Sequence, residues 1–179
     1  YANIDGYNGS EESIAHKERP EIDRWVLSRL HSLIAEVDQA YQDLEPTKAA
    51  RAIQSFTIDE LSNWHVRLSR RRFWKGELTA DKMSAYQTLV ECLKTVSILG
   101  SPIAPFYLDR LFRDLNVGLA NPTETESVHL TSFPEAHEAW IDLELEARMA
   151  LAQQLSSQVL SLRKREKLRV RQPLRRILV

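Results

Sequence analysis

The chain has little cysteine and little glycine, and both shortages narrow the possible folds. Cys92 is the one cysteine among 179 residues, which excludes an internal disulfide and a cysteine-rich zinc site. Five glycines are few for a turn-rich β protein, whereas residues that favour helices are plentiful. No apolar run approaches the roughly 20 residues that span a bilayer. We therefore expect an all-α domain with no membrane partner, in the reducing cytoplasm.

The signature loops of phosphate and metal sites are also missing. Neither G-x-x-x-x-G-K-[ST] nor G-x-G-x-x-G occurs, and the five histidines show no i, i+4 pairing. Carboxylates are numerous, but each lies where a solvated helix face explains it. The sequence therefore predicts no catalytic residue, no metal site and no cofactor within these residues.

The net charge of −1 conceals two basic segments. Residues 67–75 contain five basic side chains and no acid, and residues 163–176 contain eight basic side chains against Glu166. The rest of the chain has 11 basic residues against 24 acids. Positive charge clustered on an otherwise acidic protein indicates a local site for a polyanion. Ordinary solvated helix faces would produce the same pattern, so charge alone leaves both interpretations open.

Apolar residues recur at helical spacing along most of the chain. They predict an antiparallel bundle of four to five long helices. Prolines are common at the first helical position, so Pro20, Pro46 and Pro105 indicate three helix starts. A further helix is predicted from Thr79, and a fifth long helix from Glu135.

The helix that begins at Pro46 changes from an apolar to a cationic stripe along its length. At about 100° per residue, seven of its positions share one face. These positions are Ala49, Ile53, Phe56, Glu60, Trp64, Arg67 and Arg71. The stripe predicts that Trp64 packs in the core, and it leaves Arg67 either exposed or paired with an acid of another helix.

Both ends of the chain lack this periodicity. Residues 1–20 are polar and predict a linker from a missing part of the chain, followed by a helical domain over residues 21–166. Residues 168–171 (LRVR) alternate with a period of two. That alternation predicts a short strand at the start of a truncated junction subdomain, residues 167–179.

Residues 61–75 (LSNWHVRLSRRRFWK) combine arginine with tryptophan and phenylalanine. Guanidinium groups bind phosphates bidentately, and flat rings stack on unpaired bases. Since Arg70, Arg71 and Arg72 point about 100° apart, one RNA strand cannot engage all three equally. The candidate RNA-binding residues of the two basic segments are Arg67, Arg70, Arg71, Arg72, Trp74, Lys75, Arg169 and Arg171.

Residues 61–75 also resemble a motif of class I aminoacyl-tRNA synthetases, which usually reads Asn-Trp-Tyr-[Val/Ile]-Arg before an arginine-rich turn and Phe-Trp. Five other segments are similar to the same family in the same order. They are 1–6 (YANIDG), 19–30 (RPEIDRWVLSRL), 102–106 (PIAPF), 127–134 (SVHLTSFP) and 170–174 (VRQPL). The last of them, with Arg24-Trp25, is typical of the isoleucine branch. His65 stands where the family usually has tyrosine, which puts one stacking or hydrogen-bonding contact in doubt.

This resemblance implies the helical anticodon-binding domain of the isoleucine–tRNA ligase family, with residues 1–20 as the linker from the missing catalytic core. The implied partner is the anticodon stem-loop of tRNA(Ile), with Arg169 and Arg171 as backbone clamps. The acceptor end would point toward the catalytic core of the same chain, where the full-length enzyme uses ATP and Mg. The family's catalytic signature loops and editing domain are absent from these residues, so the segment itself is expected to have no catalytic site. We expect a monomer.

Other interpretations stay open at this point. The domain could come from a valine, leucine or methionine enzyme of the same family. A helical protein-interaction module would use its basic patches for an acidic partner, and a general RNA binder would show no anticodon preference. Competition between tRNAs separates the last of these, because backbone contacts alone do not discriminate.

Overall fold

The computed structural model describes residues 2–74, 76–120 and 125–176. These residues form helices and turns without a strand, which confirms the predicted all-α class. The α-helices are α1 (Ala2–Asp5), α2 (Glu21–Gln42), α3 (Pro46–Ser55), α4 (Arg70–Trp74), α5 (Ala80–Gly100), α6 (Pro105–Val117) and α7 (Leu143–Arg165). A π-helix, Phe56–Val66, continues directly from α3.

The chain divides into two compact units, Tyr1–Asp142 and Leu143–Val179. The first unit contains α1 to α6 and the π-helix, and the second contains α7 and the residues after it. The predicted domain boundaries after residues 20 and 166 stay predictions.

Helix α2 is the centre of the first unit, because it contacts α3, the π-helix and α5. Trp25, Val26 and Leu30 on this helix are at most 2% exposed. Phe56 and Phe112 enter the same core from other helices, and each is also at most 2% exposed. Burial of apolar side chains of this size is the main favourable contribution to the fold.

Two tight connections fold successive helices into hairpins. After α2 the backbone of Leu44 is left-handed, with φ of 58°. The N–H of Glu45 then donates to the C=O of Ala40 at 2.8 Å, which closes a Schellman motif. At the other connection, a Cβ on Gly100 would lie 2.5 Å from Cδ1 of Leu108. Glycine therefore allows α6 to approach the end of α5 closely.

Four predicted helix starts are confirmed. Helix α2 begins directly after Pro20, and α3 and α6 begin at Pro46 and Pro105. Thr79 is the N-cap of α5, and its side-chain oxygen accepts a hydrogen bond from the N–H of Lys82 at 3.3 Å. Local capping chemistry therefore identifies these boundaries.

Residues 2–20 pack against α5 within the first unit. Tyr7 is 6% exposed, and its ring stacks on Tyr86 with 5.0 Å between centroids. The guanidinium of Arg19 is equally buried and donates to the carboxylate of Glu91 at 3.0 Å. The segment is therefore an ordered part of this unit, and its role as a linker from a catalytic core stays a prediction.

The strand predicted at residues 168–171 is wrong, since residues 168 and 169 have no regular structure and residues 170 and 171 form a turn. Lys167 is left-handed, with φ of 54°, and ends α7. The guanidinium of Arg163 then donates to the backbone oxygens of Arg169 and Gln172, both at 2.9 Å. An alternating pattern forms a strand only beside another strand, and none exists in the described part of the chain.

The fifth long helix begins later than predicted. Helix α7 starts at Leu143, whereas the pattern predicted Glu135. The residues between them have no regular secondary structure apart from one 3₁₀ turn. At the end of this segment, the N–H of Asp142 donates to Oγ of Ser28 on α2 at 2.8 Å. A contact with another helix thus replaces the helical hydrogen bonding that the local pattern would allow.

Trp140 in this segment lies in a cluster of histidines. Its ring stacks on His16 at 4.7 Å and meets His31 edge-on at 5.0 Å between centroids. Nδ1 of His31 accepts a hydrogen bond from the N–H of His137 at 3.2 Å. Burial lowers the pKa of His31 to about 4, and the charges of His137 and His16 act in the same direction. The fold therefore favours the neutral imidazole.

Stability should consequently fall as the pH drops from about 6.5 to about 4. Between these pH values His31 is protonated in the unfolded state but neutral in the folded state. The free energy of unfolding therefore falls by up to about 1.4 kcal/mol for each unit by which the pH drops. His31→Asn keeps an acceptor for the N–H of His137 but cannot titrate, so it should flatten the curve. Urea unfolding at several pH values measures this effect. A curve as steep in His31→Asn as in the wild type would contradict it, and His129→Asn, at an exposed histidine, serves as the control.

Candidate RNA-binding surface

The π-helix Phe56–Val66 determines which side chains of the basic segment face solvent. Each turn of a π-helix holds more residues than an α-helical turn, because its hydrogen bonds join residues five apart. The buried positions after Phe56 are Leu61, His65, Ser69 and Phe73. The predicted stripe through Glu60, Trp64, Arg67 and Arg71 is therefore wrong from position 60 onward, because it assumed an unbroken α-helical period.

This change of register places cationic side chains outside the core. Arg67, Arg70 and Arg71 are exposed, and Trp74 is 61% exposed. Among the described residues, no acceptor forms a hydrogen bond or ion pair with any of the three guanidinium groups. We call these four residues, Arg67, Arg70, Arg71 and Trp74, the basic face.

Beside the basic face lies an apolar cleft of about 740 Å³. Arg70, Phe73 and Trp74 contribute to one wall. Helices α5 and α6 and the chain that follows α6 supply other apolar lining residues, which are Tyr86, Leu89, Val90, Leu93, Leu115 and Leu119. The indole of Trp74 therefore has apolar side chains on one flank and solvent on the other, which leaves ring surface available for stacking.

Arg72 points away from the basic face. Its NH1 and NH2 groups donate to the two carboxylate oxygens of Asp23, each at 2.7 Å. Its Nε donates to the carboxylate of Asp81 at 3.0 Å, and NH2 also donates to the backbone oxygen of Asp81 at 2.8 Å. With 14% of its side chain exposed, Arg72 is committed to an intramolecular ion pair.

The carboxylate of Asp23 is fully buried and accepts two more hydrogen bonds. Nε2 of His65 donates at 2.8 Å and Oγ of Ser84 donates at 2.6 Å. Burial alone would raise the pKa of this carboxyl, but the hydrogen bonds from Arg72, His65 and Ser84 outweigh burial and hold the pKa well below its usual range. We call these four residues, Asp23, His65, Arg72 and Ser84, the clamp.

The clamp identifies the role of the unusual histidine. His65 is completely buried, so it stacks on nothing outside the protein. An ionised carboxylate only accepts, and Nε2 of His65 therefore carries the proton. Nδ1 is buried without a hydrogen-bond partner among the described residues. Sequence reasoning missed Asp23 because an acid in the first turn of a helix is ordinary there, being favourable to the helix dipole.

The remaining candidate residues lie elsewhere. Lys75 lies outside the described residues. Arg169 and Arg171 are exposed and belong to the second unit, where the turns after α7 hold them. The structure thus groups Arg67, Arg70, Arg71 and Trp74 on one segment, and it separates Arg72 from them.

The described residues contain no group of three or more histidine, cysteine, aspartate or glutamate side chains that could hold a metal ion. Among the helices that the structure describes, none is long and apolar enough to cross a membrane. Clustered exposed cations beside an exposed indole on an all-helical scaffold are typical of a nucleic-acid-binding class of domain.

The chain belongs to the family of anticodon-binding domains of tRNA ligases, whose family model matches residues 23–178. Several isoleucine–tRNA ligases are among its relatives. It is 58% identical to the enzyme of Cytophaga hutchinsonii and 56% identical to that of Porphyromonas gingivalis, over all 179 residues in each case. It is 45% identical to the Thermobifida fusca enzyme over 177 residues. The chain spans only 15–16% of the length of these relatives. The family resemblance seen in the sequence is confirmed.

The two neighbouring arginines Arg71 and Arg72 should differ sharply in their effect on stability. Arg72→Ala leaves the buried charge of Asp23 without its ion-pair partner, which costs about 3–5 kcal/mol. Arg71→Ala removes an exposed side chain and should change the free energy of unfolding by less than about 0.5 kcal/mol. Urea unfolding followed by far-UV circular dichroism measures both. Equal losses in the two variants would contradict the assignment of Arg72 to the clamp.

Proposed function

We propose that the basic face binds the anticodon stem-loop of tRNA(Ile), and that the parent protein is an isoleucine–tRNA ligase of the cytoplasm. The observation that carries this proposal is the grouping, on one helical segment, of an exposed indole with three guanidinium groups that have no partner among the described residues. Family membership supports anticodon binding. The names of the relatives favour isoleucine over valine, leucine or methionine.

The chemistry of each group suits a bent RNA loop. Arginine forks bind phosphate oxygens and fix the register of the RNA on the protein. Bases in a loop are already unstacked, so Trp74 can stack on one of them, which is worth about 1–3 kcal/mol. Lys75 would add one more cation at the end of this segment. Arg169 and Arg171 of the second unit would contact the RNA backbone.

In the parent enzyme this contact would orient the acceptor end of the tRNA. Aminoacylation would take place in the catalytic part of the parent chain, with ATP and Mg bound there. The contribution of the basic face would be to bind and position the tRNA. Arg72 would serve the RNA indirectly, since its own guanidinium is occupied by Asp23 and Asp81.

The variant Arg70→Ala/Arg71→Ala tests the proposal. Each phosphate contact that the variant removes should reduce the slope of log K against log[salt] by about 0.7–0.9, so loss of both contacts should reduce it by about 1.4–1.8, and affinity for tRNA(Ile) at low salt should fall accordingly. Titration of the tRNA by fluorescence anisotropy at several salt concentrations measures both quantities. Unchanged affinity and slope would refute the assignment of this pair.

A matched control is Lys48→Ala/Arg51→Ala, which removes the same charge from exposed positions on α3. This control variant should retain most of the affinity and the salt slope. An unrelated tRNA provides the second control, since base contacts as well as phosphate contacts are needed for discrimination. Equal affinity for both tRNAs would indicate a general RNA binder.

A further inference from the structure

We infer that Asp23 is a positioning residue for RNA binding, which acts through Arg72 to hold the basic face in its binding geometry. The inference rests on the proposed function and adds to it a buried acid that never touches the RNA. Removing an acid usually raises the affinity of a protein for a polyanion. Removing the charge of Asp23 should instead lower the affinity for RNA.

The helix that carries most of the basic face has little stability of its own. Helix α4, Arg70–Trp74, has five residues, and a helix this short is unstable without tertiary contacts. After it the chain turns at Gly76, whose φ is +81°. The π-helix leads into α4 through Arg67, Leu68 and a turn at Ser69, whose N–H donates to the C=O of His65 at 2.9 Å. The orientation of Arg70, Arg71 and Trp74 therefore depends on this junction together with the tertiary contacts of α4.

Tertiary contacts of two side chains fix α4. Two of its five residues face inward, and they lie between the residues of the basic face in the sequence. Phe73 is 8% exposed and meets the ring of Tyr86 at 5.3 Å between centroids. Arg72 forms the bidentate ion pair with Asp23 and also reaches Asp81. Apolar packing resists displacement only over short distances, whereas the bidentate pair also fixes the orientation of α4.

Side chains from several helices meet at the carboxylate of Asp23. Asp23 lies in the first turn of α2, His65 near the end of the π-helix, and Ser84 early in α5. The hydrogen bonds to Asp23 are 2.6–2.8 Å long. A single charge thus fixes α4 relative to three other elements. Removing the charge should release α4 while the apolar core between α2, α3 and α5 stays packed.

Asp23→Asn provides the test. If only about a tenth of the molecules keep α4 in the conformation that presents the basic face, the affinity for tRNA(Ile) falls about tenfold. Simple electrostatics predicts the opposite, since the substitution removes a negative charge from an RNA-binding protein. Asp38→Asn, at an exposed acid on the same helix, is the matched control and should leave affinity unchanged or raise it slightly. Far-UV circular dichroism under the binding conditions verifies that each variant is folded.

A double-mutant cycle separates positioning from general damage. In the background Arg70→Ala/Arg71→Ala, two of the three side chains that Asp23 positions on α4 are already gone and Trp74 remains, so Asp23→Asn should cost clearly less affinity than in the wild type. An equal loss in both backgrounds, or no loss in the wild-type background, overturns the inference. If the arginine pair itself has no effect, the proposed function fails instead, and the two failures are distinguishable.

A milder variant covers the case in which Asp23→Asn does not fold. Ser84→Ala removes only the hydrogen bond that Oγ donates to Asp23 at 2.6 Å and leaves the ion pair with Arg72 in place. Its affinity for tRNA(Ile) should fall about twofold to threefold, in keeping with partial loss of the placed population. ¹⁹F NMR of 5-fluorotryptophan at Trp74 should show a broadened or shifted signal before RNA is added. Wild-type affinity with an unchanged Trp74 signal would contradict the inference.

Discussion

The buried carboxylate of Asp23 is the interaction on which the candidate surface depends. Moving a carboxylate out of water costs several kcal/mol, and a protein recovers this only with a close counter-ion and further hydrogen bonds. Arg72 supplies the counter-ion, and His65 and Ser84 occupy the remaining acceptor positions. Because these donors come from separate elements, the requirement to satisfy one charge brings α2, α4, α5 and the π-helix to fixed relative positions. The exposed Arg70 and Arg71 are therefore positioned by the ion pair of Arg72.

The π-helix is the second constraint, and it works together with the first. In an unbroken α-helix Arg67 and Arg71 would lie on the stripe that begins with Phe56, and their charges would need acceptors inside the bundle. The wider π-helical turns instead turn His65, Ser69 and Phe73 inward. π-Helical segments are rare and often occur at functional sites. Here the backbone departs from regular α-helical geometry, and as a result Arg67, Arg70 and Arg71 face solvent.

The sequence predicts the helical class and four helix starts well, because prolines and a threonine cap act through local chemistry at Pro20, Pro46, Thr79 and Pro105. It fails where tertiary contacts decide the outcome. Residues before Leu143 have helical spacing, yet α2 and the histidines around Trp140 hold them in another conformation. Residues 168–171 alternate as a strand would, but no neighbouring strand lies beside them in the described part of the chain. The guanidinium of Arg163 donates to the backbone oxygens of Arg169 and Gln172 instead. Among the candidate site residues, the π-helix shifted the buried positions from 60, 64, 67 and 71 to 61, 65, 69 and 73, which decided which arginines face outward. No local pattern encodes that shift.

The most direct test of this account is the titration of Asp23, followed by the ¹³C chemical shift of its side-chain carboxyl in NMR spectra. If the clamp holds α4 as described, the carboxyl stays ionised as the pH falls past the ordinary aspartate value of about 3.9, and it takes up a proton only when the unit unfolds. Stability gained from this depressed pKa is present above that pH and is lost below it. A carboxyl that titrates at or above about 3.9 in the folded protein would contradict the account, because burial without tight donors raises the pKa of an acid.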